Sequence, residues 1–405
     1  MRVLLVCHYF PPEVGAPQAR MSQLARYWND EGADVTVLTG IPNHPTGIVP
    51  AQYRGFRKRI ERHEGYKIVR TWLYATPNEG IAKKTLGHIS FMFTSVLFGL
   101  MPAGRTDVVV VSSPTFFSLF SAWFIAKVRR AALVVEIRDL WPAIFVELGV
   151  LKNKQIIWVL ERFEMFFYRS ADHVVTVTDG FRDNLIGRGI RADKVTTITN
   201  GVDVEAFAPQ ATEEASRQFL GAQPGQTLCL YLGAHGISQG LSSLVDAADL
   251  VGGDIHFAFV GDGADKARVR ERVGSSGVTN VSMLGSVPYD RVPALVAAAD
   301  ICLVPLRDVP LFSTFIPSKI FEYLGAQRAV IGAVEGEPAR ILSAAGAIVV
   351  PPENAAAMAS AIRELADSPQ RRADMAQAGR TYVLEHFDRR QLARRYLQLL
   401  EKVAG

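Results

Sequence analysis

Two blocks of the chain alternate short β-branched apolar runs with helical patterns, and the runs end at glycine, aspartate or asparagine. That alternation predicts parallel sheets covered by helices on both faces. The first block opens with a strand over 1–10, followed by the loop Pro11-Pro12-Glu13-Val14-Gly15-Ala16-Pro17. A helical pattern over 18–31, closed by Gly32, leads to a second strand over 34–39. Further strands are predicted at 107–113, 132–137, 173–178 and 195–198, with helices up to about Arg130 and over 154–169. The polar, turn-rich stretch 203–226 reads as a linker. A second series starts with a strand at 227–232 running into the glycine loop 233–240. It continues with strands at 255–260, 281–284, 301–304, 329–333 and 348–350, then helices over 353–365, 371–384 and 387–403. The expected architecture is α/β, with Rossmann-like domains at 1–203 and 204–382 and a helix over 383–405 crossing back to the first. Gly15, Asp139, Asn200, Gly233 and Gly263 each follow a predicted strand, where open α/β sheets bind ligands, and so would face an interdomain cleft.

A length of 405 residues supports two cores of this size. The net charge of +4 is too small to point to nucleic acid, but it suits a phosphate-bearing ligand or an anionic membrane surface. Cys7, Cys229 and Cys302 lie far apart in apolar runs, which predicts buried reduced thiols in a cytoplasmic protein. Residues 3–7 are too short for a signal-peptide core and read as the first buried strand.

The stretch Ile316-Pro317-Ser318-Lys319-Ile320-Phe321-Glu322-Tyr323-Leu324 reads as a loop turning into a helix, with Ser318 as its N-cap. Unpaired N–H groups there favour an anion such as a diphosphate, and Lys319 adds a full charge. Glu322 follows one turn later, where a carboxylate accepts bonds from two vicinal hydroxyls, as on a ribose. An ordinary capping motif explains the same residues. Gly15 either lets the backbone approach a phosphate or acceptor, or merely serves a turn. Asp139 is a catalytic candidate, as a general base or as the group that orients the acceptor hydroxyl; a helix cap or a pair with Arg138 explains it structurally.

The chain resembles the family-4 retaining glycosyltransferases. Within them it is similar to bacterial surface-polysaccharide transferases that build glycans on a lipid carrier, of the fucosamine transferase type. The residues carrying the resemblance are His8-Tyr9-Phe10-Pro11-Pro12-Glu13 with Gly15, Thr39-Gly40-Ile41-Pro42-Asn43-His44-Pro45, and Ser112-Ser113-Pro114. Arg138-Asp139-Leu140-Trp141-Pro142, Asn200-Gly201-Val202-Asp203, Val260-Gly261-Asp262-Gly263, Pro317-Ser318-Lys319 and Glu322-Tyr323-Leu324 continue it. The resemblance implies the GT-B fold, a nucleoside-diphosphate sugar donor (uridine being the common base), a lipid-linked saccharide acceptor and no metal. It implies that Glu322 grips the ribose and Gly263 borders the base. Two positions depart from the family pattern: Thr314 stands where a sugar-binding glutamate is usual, and Gln239 where a lysine is usual. Lys319 is then the main cation for the leaving diphosphate, helped by backbone N–H groups around Gly15, Ser318, Gly233 and Gly236. Arg307 is a second candidate, or a surface partner of Asp308. His8, His44 and Glu13 are further polar groups in first-domain loops.

Residues 85–104 contain no charged side chain, and their apolar core, 89–101, is shorter than the roughly 20 apolar residues of a bilayer span, so they read either as a core helix or as an interfacial element. Arg54, Arg57, Lys58, Arg59 and Arg62 would draw it to anionic lipid at the inner face of the bacterial plasma membrane, or form a solvated charged face. The aromatic series Trp158, Phe163, Phe166, Phe167 and Tyr168 reads as core. A sugar-nucleotide epimerase and a catalytically silent membrane scaffold remain the competing functions.

Overall fold

In the computed structural model the apolar runs assemble into two sheets, one in each of two units. The structure describes the backbone of every residue except 14, 45, 78–80, 114, 115, 148 and 150. The side chains of Ala16, Ile81 and Ala82 are also outside the description. Pro45 and Pro114, from two of the motifs above, therefore lie outside the described residues, as does Val14 of the first loop.

Unit one comprises Met1–Thr199 and Arg390–Gly405. Its strands are β1 (Arg2–Val6), β2 (Asp34–Gly40), β3 (Lys58–His63), β4 (Tyr66–Thr71), β5 (Val108–Ser113), β6 (Ala132–Ile137), β7 (His173–Thr176) and β8 (Val195–Thr197). They run in the order β3-β4-β2-β1-β5-β6-β7-β8, and only β3 is antiparallel to its neighbour. Helices α1 (Ala16–Asp30), α2 (Ile81–Ala103) and α3 (Phe116–Arg129) provide the first crossovers. The terminal helix Arg389–Ala404 buries Leu392, Tyr396 and Leu400 in the core of this unit, and Trp28 Nε1 donates to Ala393 O at 3.0 Å.

Unit two is Asn200–Arg389. Its strands are β9 (Thr227–Leu232), β10 (Ile255–Val260), β11 (Val281–Leu284), β12 (Ile301–Pro305), β13 (Ala329–Ala333) and β14 (Ile348–Val350). The order β11-β10-β9-β12-β13-β14 is doubly wound and wholly parallel, with its switch point between β9 and β12. All three cysteines are buried and free.

Several expectations change. The stretch read as a linker belongs to unit two: Phe207, Leu220 and Ala222 are buried there, and Glu214–Phe219 is helical. The basic run around residue 58 is the sheet-edge strand of a hairpin, β3–β4, that alternation alone did not reveal. Arg59 pairs with Glu61, while Arg57, Lys58 and Arg62 are exposed. The aromatic series divides, with Phe167 and Tyr168 buried and Trp158, Phe163 and Phe166 exposed.

Candidate functional site

The loop after β9 and the helix Lys319–Gly325 meet at the switch point of unit two. Tyr231 occupies the penultimate position of β9, and its buried ring lies under the Lys319 ammonium, with Nζ 3.5 Å from the ring centroid. Nζ is shielded from solvent and has no hydrogen-bond partner among the described residues. Burial pushes its pKa down to about 7, against an opposing pull from Glu322. A buried cation that rests on a π-face with no hydrogen-bond acceptor among the described residues is costly, even with Glu322 nearby, until an anion binds it directly. Gly233 creates the space: at φ +144° a Cβ there would stand 2.9 Å from Lys319 Nζ.

The rest of the loop is fixed by backbone. His235 N donates to Asp262 O at 2.9 Å, and Asp265 N donates to His235 O at 2.9 Å. A Cβ on Gly263 would come within 2.4 Å of His235 O, so this glycine permits loop-on-loop contact. The His235 ring is fully buried, neither nitrogen has a described partner, and burial takes its pKa down to about 4. Gly236 starts a short 3₁₀ turn, Ile237–Gln239, with Gln239 Oε1 buried and unpartnered nearby. A Cβ on Gly236 would lie 2.6 Å from that oxygen.

Glu322 lies one turn beyond Lys319. Tyr289 Oη donates to its Oε1 at 3.4 Å, and the Arg389 guanidinium acts on both groups. Burial raises the Glu322 pKa, while Arg389 and Lys319 pull it back. Arg389 also donates to Gly201 O and, through its backbone, to Val202 O at 2.9 Å. Tyr231, Tyr289 and Arg389 carried no sequence signal, because each reads as strand filler or helix surface until folding brings it to the site.

Other predicted positions stand differently. Ser318 stands at the N-cap position of the helix Lys319–Gly325, as expected, but its side chain makes no capping bond; its carbonyl accepts from Phe321 N at 3.1 Å. Thr314 Oγ1 donates to Leu311 O at 2.8 Å and is tied into its own turn. Arg307 faces Glu353 at 3.8 Å rather than Asp308.

In unit one, Gly15 precedes α1 with an extended φ, and a Cβ there would meet Gln18 Oε1 at 2.5 Å. Asp139 follows β6, and burial raises its pKa to about 6 against the opposing charge of Arg138. Beneath it, Glu136 is fully buried and accepts from Arg20 Nη2 at 3.0 Å and from Ser112 Oγ at 3.3 Å. Glu13 accepts from Asn43 N and His44 N, each at 2.8 Å, so its carboxylate clamps two loops. His8 packs tilted against His88 with ring centroids 4.2 Å apart, and Tyr9 against His44 at 5.1 Å. Burial lowers the pKa values of all three histidines.

Two Rossmann-like units in one chain, each wound about its own switch point, define the GT-B class of fold. Residues 15–201 match the glycosyl transferase 4-like domain, and residues 226–368 match the glycosyl transferases group 1 domain. The chain belongs to the glycosyltransferases built from this pair of domains. A relative named as a colanic acid biosynthesis glycosyl transferase, WcaI of Escherichia coli K12, is 24% identical over 409 residues. That match spans 98% of this chain and 99% of WcaI. The sucrose-phosphate synthase of Thermosynechococcus elongatus superposes with TM-score 0.77 at 18% identity, covering 99% of this chain and 98% of its own. HepE of Anabaena, solved with UDP and glucose, superposes with TM-score 0.74 at 16% identity, covering 99% of this chain and 100% of HepE.

Proposed function

We propose that this glycosyltransferase takes a sugar from a nucleoside diphosphate, UDP being the first choice. It passes the sugar, with retention of anomeric configuration and without a metal, to a polyprenyl-diphosphate-linked saccharide. The setting of this reading is surface-polysaccharide assembly at the inner face of a bacterial plasma membrane. The observation that carries it is the buried Lys319 ammonium, with no hydrogen-bond partner among the described residues, one turn before the Glu322 carboxylate. A diphosphate supplies the anion that Lys319 lacks, and the ribose diol supplies donors for Glu322. HepE, whose structure contains UDP and glucose, and WcaI, named for colanic acid biosynthesis, support the donor and the pathway class.

In this mechanism the bond between the anomeric carbon and the diphosphate breaks through an oxocarbenium-like state. Lys319 and the backbone N–H groups of the Gly233 loop stabilise the charge growing on the leaving phosphate. The acceptor hydroxyl enters on the same face, and its proton passes to the departing phosphate. Asp139 orients that hydroxyl.

The test is calorimetric titration with a panel of nucleoside diphosphates, followed by transfer from the matching sugar nucleotides to bacterial polyprenyl-diphosphate saccharides. Selective UDP binding is expected, and a linkage whose anomeric configuration by NMR is that of the donor sugar nucleotide. UDP binding without transfer to any such acceptor would return the scaffold reading. Conversion of the free sugar nucleotide would return the epimerase.

A further inference from the structure

Helices α2 and α3 and the helix Lys154–Ser170 lie side by side on one face of the unit-one sheet, α3 packing against both others. Their outward surface is the reverse of a water-facing one. On α2 the residues Phe93, Leu97 and Met101 are 61%, 73% and 80% exposed and fall in one stripe at helical spacing. Its hydroxyl residues turn inward instead. Ser95 is fully buried and its Oγ donates to Ser121 Oγ of α3 at 2.9 Å, and buried Thr94 donates to Trp72 O. Small and hydroxyl side chains thus form the joint between the helices while large apolar ones face out, a pattern that water does not favour. On the helix Lys154–Ser170, Trp158 and Phe163 extend the same surface, and Phe166 packs edge-on against Trp123 of α3 at 5.7 Å.

The helix that forms is longer than the apolar core read from the sequence: by length and composition α2 over Lys83–Ala103 would suffice to cross a bilayer, yet it is laid along the sheet, with a third of its most apolar window buried. Charge frames the apolar stripe. Helices α2 and α3 carry no acidic residue. Lys83 and Lys84 stand at one end of α2 and Arg105 just past the other; Lys127 and Arg129 close α3. On the third helix, Glu164 is buried against Arg188, and the exposed Glu161 is offset by the exposed Arg162 beside it.

We infer that this ridge inserts its apolar stripe into the headgroup–acyl boundary of an anionic bilayer, with the cationic helix ends on the lipid phosphates. The inference rests on the lipid-linked acceptor proposed above, since a carrier embedded in a membrane has to be met there. It assigns attachment to these exposed apolar side chains, not to the basic β3 edge alone.

The test is flotation of the full chain with vesicles of phosphatidylglycerol and phosphatidylethanolamine, with phosphatidylcholine vesicles as the uncharged comparison. Binding to the anionic vesicles is expected, a substantial part of it persisting at about 1 M salt, where the Debye length is about 3 Å. The combined Phe93→Ser, Leu97→Ser and Met101→Ser substitutions should lower the bound fraction roughly tenfold or more. Trp158→Ser with Phe163→Ser should act in the same direction. In the unsubstituted chain, brominated lipids should quench a fluorescence component that Trp158→Phe removes, a readout that needs no destabilising variant. Vesicle binding unchanged by both sets of substitutions, or abolished by salt alone, overturns the inference. So does a chain that ignores vesicles but elutes as a dimer which the substitutions dissociate. A parallel UDP titration separates the two proposals: lost vesicle binding with intact UDP binding concerns the ridge, and the converse concerns the donor site.

Discussion

The Lys319 ammonium sits 3.5 Å above the centre of the Tyr231 ring, with no hydrogen-bond acceptor among the described residues. The two residues come from different elements of unit two, the helix Lys319–Gly325 and β9, and they meet where the sheet reverses its winding. Tyr231 supplies a π-face, which attracts the cation but does not neutralise it. The pair therefore holds a charge in readiness for an anion.

Its first consequence is a pH dependence. Burial lowers the Lys319 pKa to about 7, so the free protein is increasingly neutral there as pH rises. A bound diphosphate favours the charged form and raises that pKa. UDP binding near pH 8 should therefore take up a proton, and affinity should fall as pH climbs through about 7. Calorimetry in buffers of different ionisation enthalpy measures the uptake. The difference from Lys319→Arg cancels the titration of UDP itself. Lys319→Met should weaken UDP roughly 10- to 100-fold, the worth of a charged hydrogen bond. Equal proton uptake in wild type and Lys319→Arg would remove Lys319 from the phosphate site.

Gly233→Ala tests the space that this lysine needs. The new methyl would stand 2.9 Å from Nζ on a backbone at φ +144°. A strained backbone of this kind costs about 1–3 kcal/mol, and the ammonium must shift as well. Thermal melting should show the stability loss, and UDP titration should show weaker binding even where the variant is fully folded. An affinity equal to wild type would mean that the ammonium does not work from this position.

Glu322 separates ribose from deoxyribose. Glu322→Ala should weaken UDP roughly 10- to 100-fold and leave 2′-deoxy-UDP nearly unaffected, because only the vicinal diol uses both carboxylate oxygens. Tyr289→Phe removes one 3.4 Å bond to that carboxylate, with an expected loss of about 1 kcal/mol. Identical discrimination in wild type and Glu322→Ala would take the ribose away from this residue.

Tyr396 tests the terminal helix. Its ring is fully buried edge-on to Trp28 at 5.2 Å, and its hydroxyl has no described partner. Tyr396→Phe should be neutral or slightly stabilising, since an unsatisfied polar group leaves the core. Tyr396→Ala should cost about 3–5 kcal/mol through the cavity. Denaturant unfolding followed through the tryptophans reads both, and a costly Tyr396→Phe would show that the hydroxyl has a partner after all.

The strand-and-helix alternation was legible because buried parallel strands are continuous β-branched runs, as in Val108–Ser113 and Ile255–Val260. The β3–β4 hairpin was not, since Lys58–His63 is an edge strand whose side chains mostly face water. Lys319 and Glu322 stand out locally by their spacing on one helical turn. Their partners do not: Tyr231 is hidden in an apolar strand, and Arg389 looks like one more base on an amphipathic helix. Only tertiary packing distinguishes such residues. The exposed aromatic side of Lys154–Ser170, expected as core, differs for the opposite reason. Its phenylalanines repeat at helical spacing, and periodicity does not say whether an apolar face meets protein or something else.

Asp139 is the group in unit one whose ionisation should be visible in the rate. Burial raises its carboxyl pKa to about 6, the nearby Arg138 charge opposing that rise. If the ionised form orients the acceptor hydroxyl, transfer at saturating donor should climb with pH through about 6 and level off above it. Asp139→Asn keeps the shape but cannot ionise. It should lower the transfer rate by roughly 100-fold, the effect of losing the charged group that positions the hydroxyl for attack, and should lose the acidic limb. UDP affinity should not change, because the nucleotide contacts proposed here come from unit two. A variant that is slow yet keeps the same acidic limb would assign that limb to another group, and one as fast as wild type would leave the pair of Asp139 and Arg138 a purely structural role.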